Sequence, residues 1–351
     1  MISDARAGAA DPDRIDQFDG LRACAFLAVF LHHAVHAPLL WMGVDQFFVL
    51  SGFLITRNLL SLRVGATPRA AFGVFYFRRA LRIIPPYYVA LTAIFLTGGA
   101  VSGAGWYYAF ASNVHDAIHG ANPGPLEAMW SIAVEEQFYL VWPCLVLLVP
   151  RRWLGVTFGA VLAAAPLCRL AVAPMGFDAV YRLTSCRMDL LAAGALLALI
   201  EQRDPTWFAR NLRRFVAVAA IALATFAALS LAVPTFRTRG DRTLFNVVGF
   251  ALSGVFFACV LAYVRGASSG LAWRALRNPV LRYIGRISYM AYLIHILCLV
   301  LANCVVHGTA VVAALALAFT IAGASASWYA LEAPVLTLRY LVKPRRRAVT
   351  A

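Results

Sequence analysis

Apolar residues in this chain gather into ten runs, at about 20–38, 43–62, 83–99, 130–150, 153–173, 187–201, 214–233, 244–264, 283–304 and 309–331, with polar and arginine-bearing segments between them. Most of these runs approach the ~20 residues that a helix needs to cross the hydrocarbon layer of a bilayer. In lipid, every backbone donor and acceptor must be satisfied internally, which a helix does within one segment. The pattern therefore predicts an all-α, polytopic membrane protein with ten transmembrane helices. Two runs fit least well: 187–201 is short, and 130–150 carries Glu135 and Glu136.

Arginine placement sets the orientation, because loops that face the cytoplasm hold the excess of positive charge. With the amino terminus inside, the inner segments hold Arg57, Arg63, Arg69, Arg78, Arg79 and Arg82, then Arg151 and Arg152, then Arg203, Arg210, Arg213 and Arg214. The later inner segments add Arg265, Arg274, Arg277, Arg282 and Arg286, and finally Arg339, Lys343, Arg345, Arg346 and Arg347. The outer loops hold Arg182, Arg187, Arg237, Arg239 and Arg242. Both termini are thus expected in the cytoplasm, with a polar amino-terminal stretch over 1–18, a membrane domain over 19–334 and a basic tail over 335–351. The first stretch lacks the charged-then-apolar order of a secretory signal, and no cleavage is expected.

Composition agrees with this layout. Hydrophobic residues make up 62% of the chain and charged residues 13%, with a mean hydropathy of +0.75; a soluble domain carries about twice that charge. The net charge of +15 would suit nucleic acid in a soluble protein, but these arginines rim a membrane surface, so lipids and not nucleic acid are the expected partners. Seven cysteines are scattered without metal-ligand spacing, and no metal is expected. All but one of the 31 basic residues are arginine, which is consistent with a GC-rich genome and a bacterial cytoplasmic membrane.

Within the first run, Arg22 and His33 stand eleven residues apart. That interval is about three helical turns and roughly 16 Å of rise, so the two side chains share a face, Arg22 near the surface and His33 near mid-bilayer. His32 is turned about 80° away and shares the face of His36. Ionisable groups at membrane depth are costly and mark function by default.

Seven segments, FDGLRACAFLAVFLHHA, GVDQFFVLSGFLIT, FRRALRIIPPYY, WSIAVEEQFYLVWP, RMDLLAAGALLAL, LRYIGRISYMAYLIH and LEAP, follow one another in an order that resembles the acyltransferase-3 family of integral membrane O-acyltransferases. The resemblance spans nearly the whole chain. It implies transfer of an acyl group, usually acetyl, from cytoplasmic acyl-coenzyme A to a hydroxyl. The acceptor class it implies is a cell-surface or exported polysaccharide or a lipid-linked glycan, and the alternative is a small secondary metabolite such as a macrolide. The competing class is a membrane transporter or flippase, since buried charges among ten spans also suit a substrate path. Transporter folds often show internal repeats, and none is evident.

On this resemblance His33 is the expected general base, since neutral imidazole is the side chain best poised for proton transfer near neutral pH. Arg22 is expected to bind a coenzyme A phosphate, or else to anchor the helix at the interface beside Asp19. Arg78, Arg79 and Arg82 precede Pro85 and Pro86, which predicts a short basic surface helix followed by a new span. Those arginines suit the nucleotide end of coenzyme A or anionic lipid headgroups. Asp45 is expected either to orient His33 or to cap the second helix. Glu135, which shares a face with Ser131, Phe138 and Trp142, is expected to hold one of these arginines, bind the acceptor, or form a purely structural ion pair. Ser51 with Gly52 reads as a close-packing point and not a nucleophile. Ser288, Tyr292 and His295 form a polar stripe that should look into the bundle. The loop over 100–129, with His115, Asp116 and His119, lines an outward vestibule or simply connects two spans.

Overall fold

The structure, a computed structural model, describes residues 15–98, 103–122, 124–237 and 243–342. Most of the amino-terminal stretch, Arg239 and Arg242, and the tail from Lys343 onward lie outside the described residues. Ten long helices match the ten apolar runs: α1 Asp16–Val35, α2 Gly43–Gly65, α3 Pro68–Gly98, α4 Met129–Leu148, α5 Leu154–Val172, α6 Met188–Arg203, α7 Leu212–Ala232, α8 Phe250–Gly266, α9 Pro279–Val305 and α10 Thr309–Ser327. Among the described residues, nine helices are long and apolar enough to cross a membrane. The protein is therefore an all-α polytopic membrane protein, as expected.

The shortfall against ten is α6, at 16 residues, which is about 24 Å of rise. It does not need a lipid-facing exterior. Leu190, Leu191, Ala192 and Ala195 have no exposed surface, and α6 packs among α2, α5 and α8. A helix wrapped by protein can carry Asp189 and Glu201 near its ends, because each finds an arginine there.

A second difference concerns the two prolines. The sequence predicts a surface helix that stops before Pro85, yet α3 is one continuous helix of 31 residues with both prolines inside. Each proline removes an N–H, so the carbonyls of Leu81 and Arg82 lose their helical partners. Packing holds the helix together across this gap: Ile83, Tyr87, Ala90 and Leu91 are buried, and the Tyr289 hydroxyl reaches the Ile83 carbonyl at 3.4 Å. Arg79 and Arg82 consequently sit within a spanning helix instead of on a surface one.

The ends of the other site-bearing helices follow local signals. His36, in the left-handed region at φ 53°, terminates α1. Pro279 opens α9 at the position where a missing N–H costs nothing, and the Asn278 side chain accepts from the Val280 N–H at 2.9 Å.

The two most extensive helix pairings, α2 with α6 and α1 with α9, both run through glycine. A Cβ on Gly52 would lie 1.9 Å from the Leu191 carbonyl oxygen, and one on Gly194 would lie 2.0 Å from that of Val49. In the second pair, a Cβ on Gly285 would lie 1.8 Å from the Asp19 carbonyl oxygen. Small residues allow backbones to meet in lipid, where no hydrophobic force drives helices together and close packing must do so. Gly194→Val is accordingly expected to cost more than about 3 kcal/mol by forcing these backbones apart. Gly73→Ala, in open space on α3, should be neutral or stabilising by up to about 1 kcal/mol. Thermal unfolding in detergent compares the two, and equal midpoints would show that the glycine contact is dispensable.

Candidate active site

A cavity of about 580 Å³ runs into the bundle from the side on which α1 begins and α2 ends. One wall is α2, from Ser61 and Arg57 at the open end through Ser51 to Val44 and Phe47 at the closed end. Five arginines line it, Arg22, Arg57, Arg79, Arg82 and Arg265, against two carboxylates, Glu135 and Glu201. Arg22, six residues into α1, has Asp19 at 3.7 Å on its own helix. Arg79 and Arg82 approach from α3, and the Arg79 guanidinium lies 5.7 Å from the Tyr139 ring centre. Arg78 is not on the wall, because only the 79/82 face of α3 turns inward.

Glu135, and not Glu136, enters this cavity. The Ser51 hydroxyl donates to it at 2.6 Å and the Tyr139 hydroxyl at 3.1 Å. Two neutral donors hold the carboxylate on α4 beside the arginines from α1 and α3. Ser51 is thus a hydrogen-bond donor to Glu135, next to the glycine through which α2 meets α6.

At its inner end the cavity stops at a wall. The Ser131 and Tyr292 hydroxyls share a hydrogen bond of 2.7 Å across α4 and α9, and Phe47 meets the Tyr292 ring edge-on at 5.8 Å between centres. His33 lies beyond this wall and does not line the cavity. It sits two residues from the end of α1, so it stands near the far membrane surface and not at mid-bilayer as its spacing suggested.

The hydrogen bonds around His33 fix its tautomer. A carbonyl oxygen can only accept, so Nδ1–H of His295 donates to the Tyr292 carbonyl at 2.6 Å, and Nδ1–H of His33 donates to that of Val29 at 2.9 Å. The Nε2 of His295 is then an acceptor, 3.3 Å from the His33 Nδ1. This leaves Nε2 of His33 with its lone pair available, which is the arrangement a proton acceptor needs. His295, fully buried, is the residue that takes the position expected of Asp45.

Asp45 is elsewhere. It is fully buried, with Arg187 on one oxygen and the Ser253 hydroxyl on the other at 2.5 Å. The Arg187 guanidinium also lies 4.3 Å from the Phe250 ring centre. A second buried pair joins Arg169 to Asp189 at 2.8 Å, with the Cys186 carbonyl accepting from the same nitrogen at 2.7 Å. The structure thus brings Arg22, Arg79, Arg82 and Glu135 to one cavity, puts His33 behind its wall, and assigns Asp45 to a separate ion pair.

Outside the spans, the described part of the 100–129 loop holds two short helices, Ala104–Tyr108 and Ser112–His119. Asp116 there meets Arg182 at 3.1 Å, while Asn122 donates to the Tyr107 hydroxyl at 3.1 Å. Burial pushes the Asp116 carboxyl above its ordinary range against the pull of Arg182, and burial beside Asp116 pushes the Tyr107 hydroxyl up to about 12. The two helices are pinned to the bundle by this cluster.

A family model described as an acyltransferase domain matches residues 15–329. The chain is 32% identical over 216 residues to a peptidoglycan O-acetyltransferase of Listeria monocytogenes, covering 53% of this chain and 34% of that protein. It is 29% identical over 316 residues to a protein of Bacillus subtilis provisionally named a peptidoglycan O-acetyltransferase, covering 80% and 48%. A provisionally named O-acetyltransferase of Staphylococcus aureus is 27% identical over 308 residues, covering 80% and 50%. The chain spans half or less of the length of these relatives. No solved structure matches it.

Removing one member of a buried ion pair leaves the other charge uncompensated, at a cost of about 3–5 kcal/mol. Arg187→Met is expected to show that loss in detergent unfolding, and Asp45→Asn in the same chain should recover most of it. A double variant no more stable than the single one would show that Arg187 acts through its ring contacts alone.

Proposed function

This chain belongs to the acyltransferase family, and on that premise we propose that it is a membrane O-acetyltransferase, moving an acetyl group from cytoplasmic acetyl-coenzyme A to a hydroxyl of a cell-surface glycan. The observation that carries the reading is the excess of arginine in one membrane-enclosed cavity. Five guanidinium groups gathered around two carboxylates are expensive there, and a phosphorylated ligand would offset them. A thioester donor with a nucleotide handle has that chemistry. The glycan acceptor rests on the relatives, two of which are named for peptidoglycan. The bacterial sources of these relatives support a bacterial cytoplasmic membrane as its location, and the arginine bias supports which side faces the cytoplasm.

In this mechanism Arg22, Arg79 and Arg82 bind the donor's phosphates and aim its acyl arm at the Ser131–Tyr292 wall. The acceptor meets His33 from the opposite side. Breaking the hydrogen bond between Ser131 and Tyr292 joins the two compartments. His33 Nε2 takes the acceptor hydroxyl proton as the oxygen attacks the thioester carbonyl. The C–S bond breaks as the C–O bond forms, and the proton passes from His33 to the departing thiolate. The Val29 carbonyl and His295 hold the imidazole in the tautomer that this requires. Glu135, held by Ser51 and Tyr139, keeps the inner arginines apart and oriented.

Release of free coenzyme A by purified protein supplied with acetyl-coenzyme A and lipid-linked peptidoglycan precursor tests the reading. His33→Ala is expected to lower kcat by about 10²-fold or more, with donor binding retained. Arg79→Gln is expected to raise the donor KM about tenfold, as the loss of a charge-assisted bond does. Turnover within twofold of the unmodified protein in His33→Ala would remove His33 from the mechanism.

A further inference from the structure

The five cavity arginines fall into two tiers. Arg22, Arg79 and Arg82 surround the Glu135 level. Arg57 and Arg265 stand at the open end, and between them Glu201 takes Arg57 at 3.2 Å and Arg265 on its other oxygen. On α2, Arg57 lies six residues from Ser51, the residue that holds Glu135, which is about 9 Å of rise. The outer tier comes from different helices, α2, α6 and α8, and is the more accessible: the Arg57 and Arg265 side chains are 30% and 28% exposed, while Glu201 is 9% exposed.

Two further features mark the outer tier as a place for a ligand. Gln202, next to Glu201, has a buried side-chain oxygen with no hydrogen-bond partner among the described residues, and such an acceptor is costly unless something donates to it. Asn58 and Ser61 add neutral hydrogen-bonding groups on the same stretch of α2. One carboxylate against two guanidiniums also leaves the tier with net positive charge in the absence of ligand.

Resting on the reading of the cavity as the donor site, we propose that Arg57 and Arg265 form a subsite for the 3′-phosphate of a 3′-phosphorylated adenosine donor, with Glu201 as the resident counter-ion that the phosphate displaces. The inner tier takes the pyrophosphate, one ribose deeper. Gln202 faces the adenine edge, where an exocyclic amino group supplies the missing donor. A dianionic phosphate offers more acceptor oxygens to the two guanidinium forks than the single carboxylate does, so the exchange favours the ligand. The outer tier thereby selects coenzyme A over donors that carry the same thioester arm without the 3′-phosphate.

Binding of adenosine 3′,5′-bisphosphate and of ADP to the full chain in detergent tests this, together with the KM for acetyl-coenzyme A and for its 3′-dephospho analogue. The bisphosphate is expected to bind about tenfold or more tighter than ADP, and acetyl-coenzyme A to show a KM lower by a similar factor. Arg57→Gln and Arg265→Gln should each shrink this preference, and the two together should abolish it. Glu201→Gln should strengthen binding of the bisphosphate and leave ADP binding where it was, a sign opposite to that of general structural damage. Equal handling of 3′-phosphorylated and dephosphorylated compounds by the unmodified protein overturns the subsite while leaving the donor cavity intact. Failure to bind either coenzyme form or either nucleotide overturns the donor-site reading itself.

Discussion

Placing several guanidinium groups at one point inside a membrane is the constraint on which the rest of this structure depends. Elsewhere in the bundle the problem is solved by pairing: Arg187 with Asp45, Arg169 with Asp189 and Arg182 with Asp116. In the cavity pairing is shared, with Glu201 serving both Arg57 and Arg265 and five arginines on the wall facing two carboxylates. Burying an unpaired charge in a low-dielectric interior is prohibitive, so the surroundings must keep that space open to water or to an anion. The open end between α2, α6 and α8, the packing that carries α3 unbroken through its two prolines and so keeps Arg79 and Arg82 on a spanning helix, and the donors that fix Glu135 all serve this arrangement.

α2 is the member through which these demands are reconciled. Its first turn carries Asp45 in an ion pair, its middle carries Gly52 against α6 and Ser51 against Glu135, and the stretch at the cavity mouth carries Arg57. Successive residues thus serve packing and the cavity wall from neighbouring faces. That is why a side chain added at Gly52 would disturb more than one contact, and why α6, too short to need lipid of its own, can be enclosed beside it.

Much of this was legible in the chain. Apolar runs located all ten long helices, since helix length and hydrophobicity are local properties. Of the residues that meet in the cavity, Arg22 and Glu135 stood out because charge in an apolar run is conspicuous, and Arg79 and Arg82 because they cluster just before two prolines. What local pattern could not supply was partnership. His33 and His295 lie 262 positions apart, and the stripe that contains His295 indicated only that it faces inward. Asp45 was near enough to His33 along the chain to suggest a pairing, yet Arg187, counted from sequence as a loop charge, takes it. The helix break at Pro85 was inferred from backbone chemistry alone, and tertiary packing overrode it. Arg57 and Arg265 were visible only as part of a charge tally, and Glu201 was not singled out at all, because their significance lies in three helices converging.

The wall made by Ser131, Tyr292 and Phe47 has an electrical consequence. A water-filled cavity carries the potential of its open side inward with it, here along roughly 20 Å of α2 between Arg57 and Val44. The transmembrane voltage then falls mainly across the thin layer between that cavity and His33. Moving one elementary charge through the full drop is worth about 2.3 kcal/mol per 100 mV. In the proposed reaction the proton taken up at His33 finishes on a thiolate on the cavity side, so it travels along this concentrated field. With the usual polarity, negative on the cavity side, that step would run downhill, and an energised membrane would itself favour the proposed transfer.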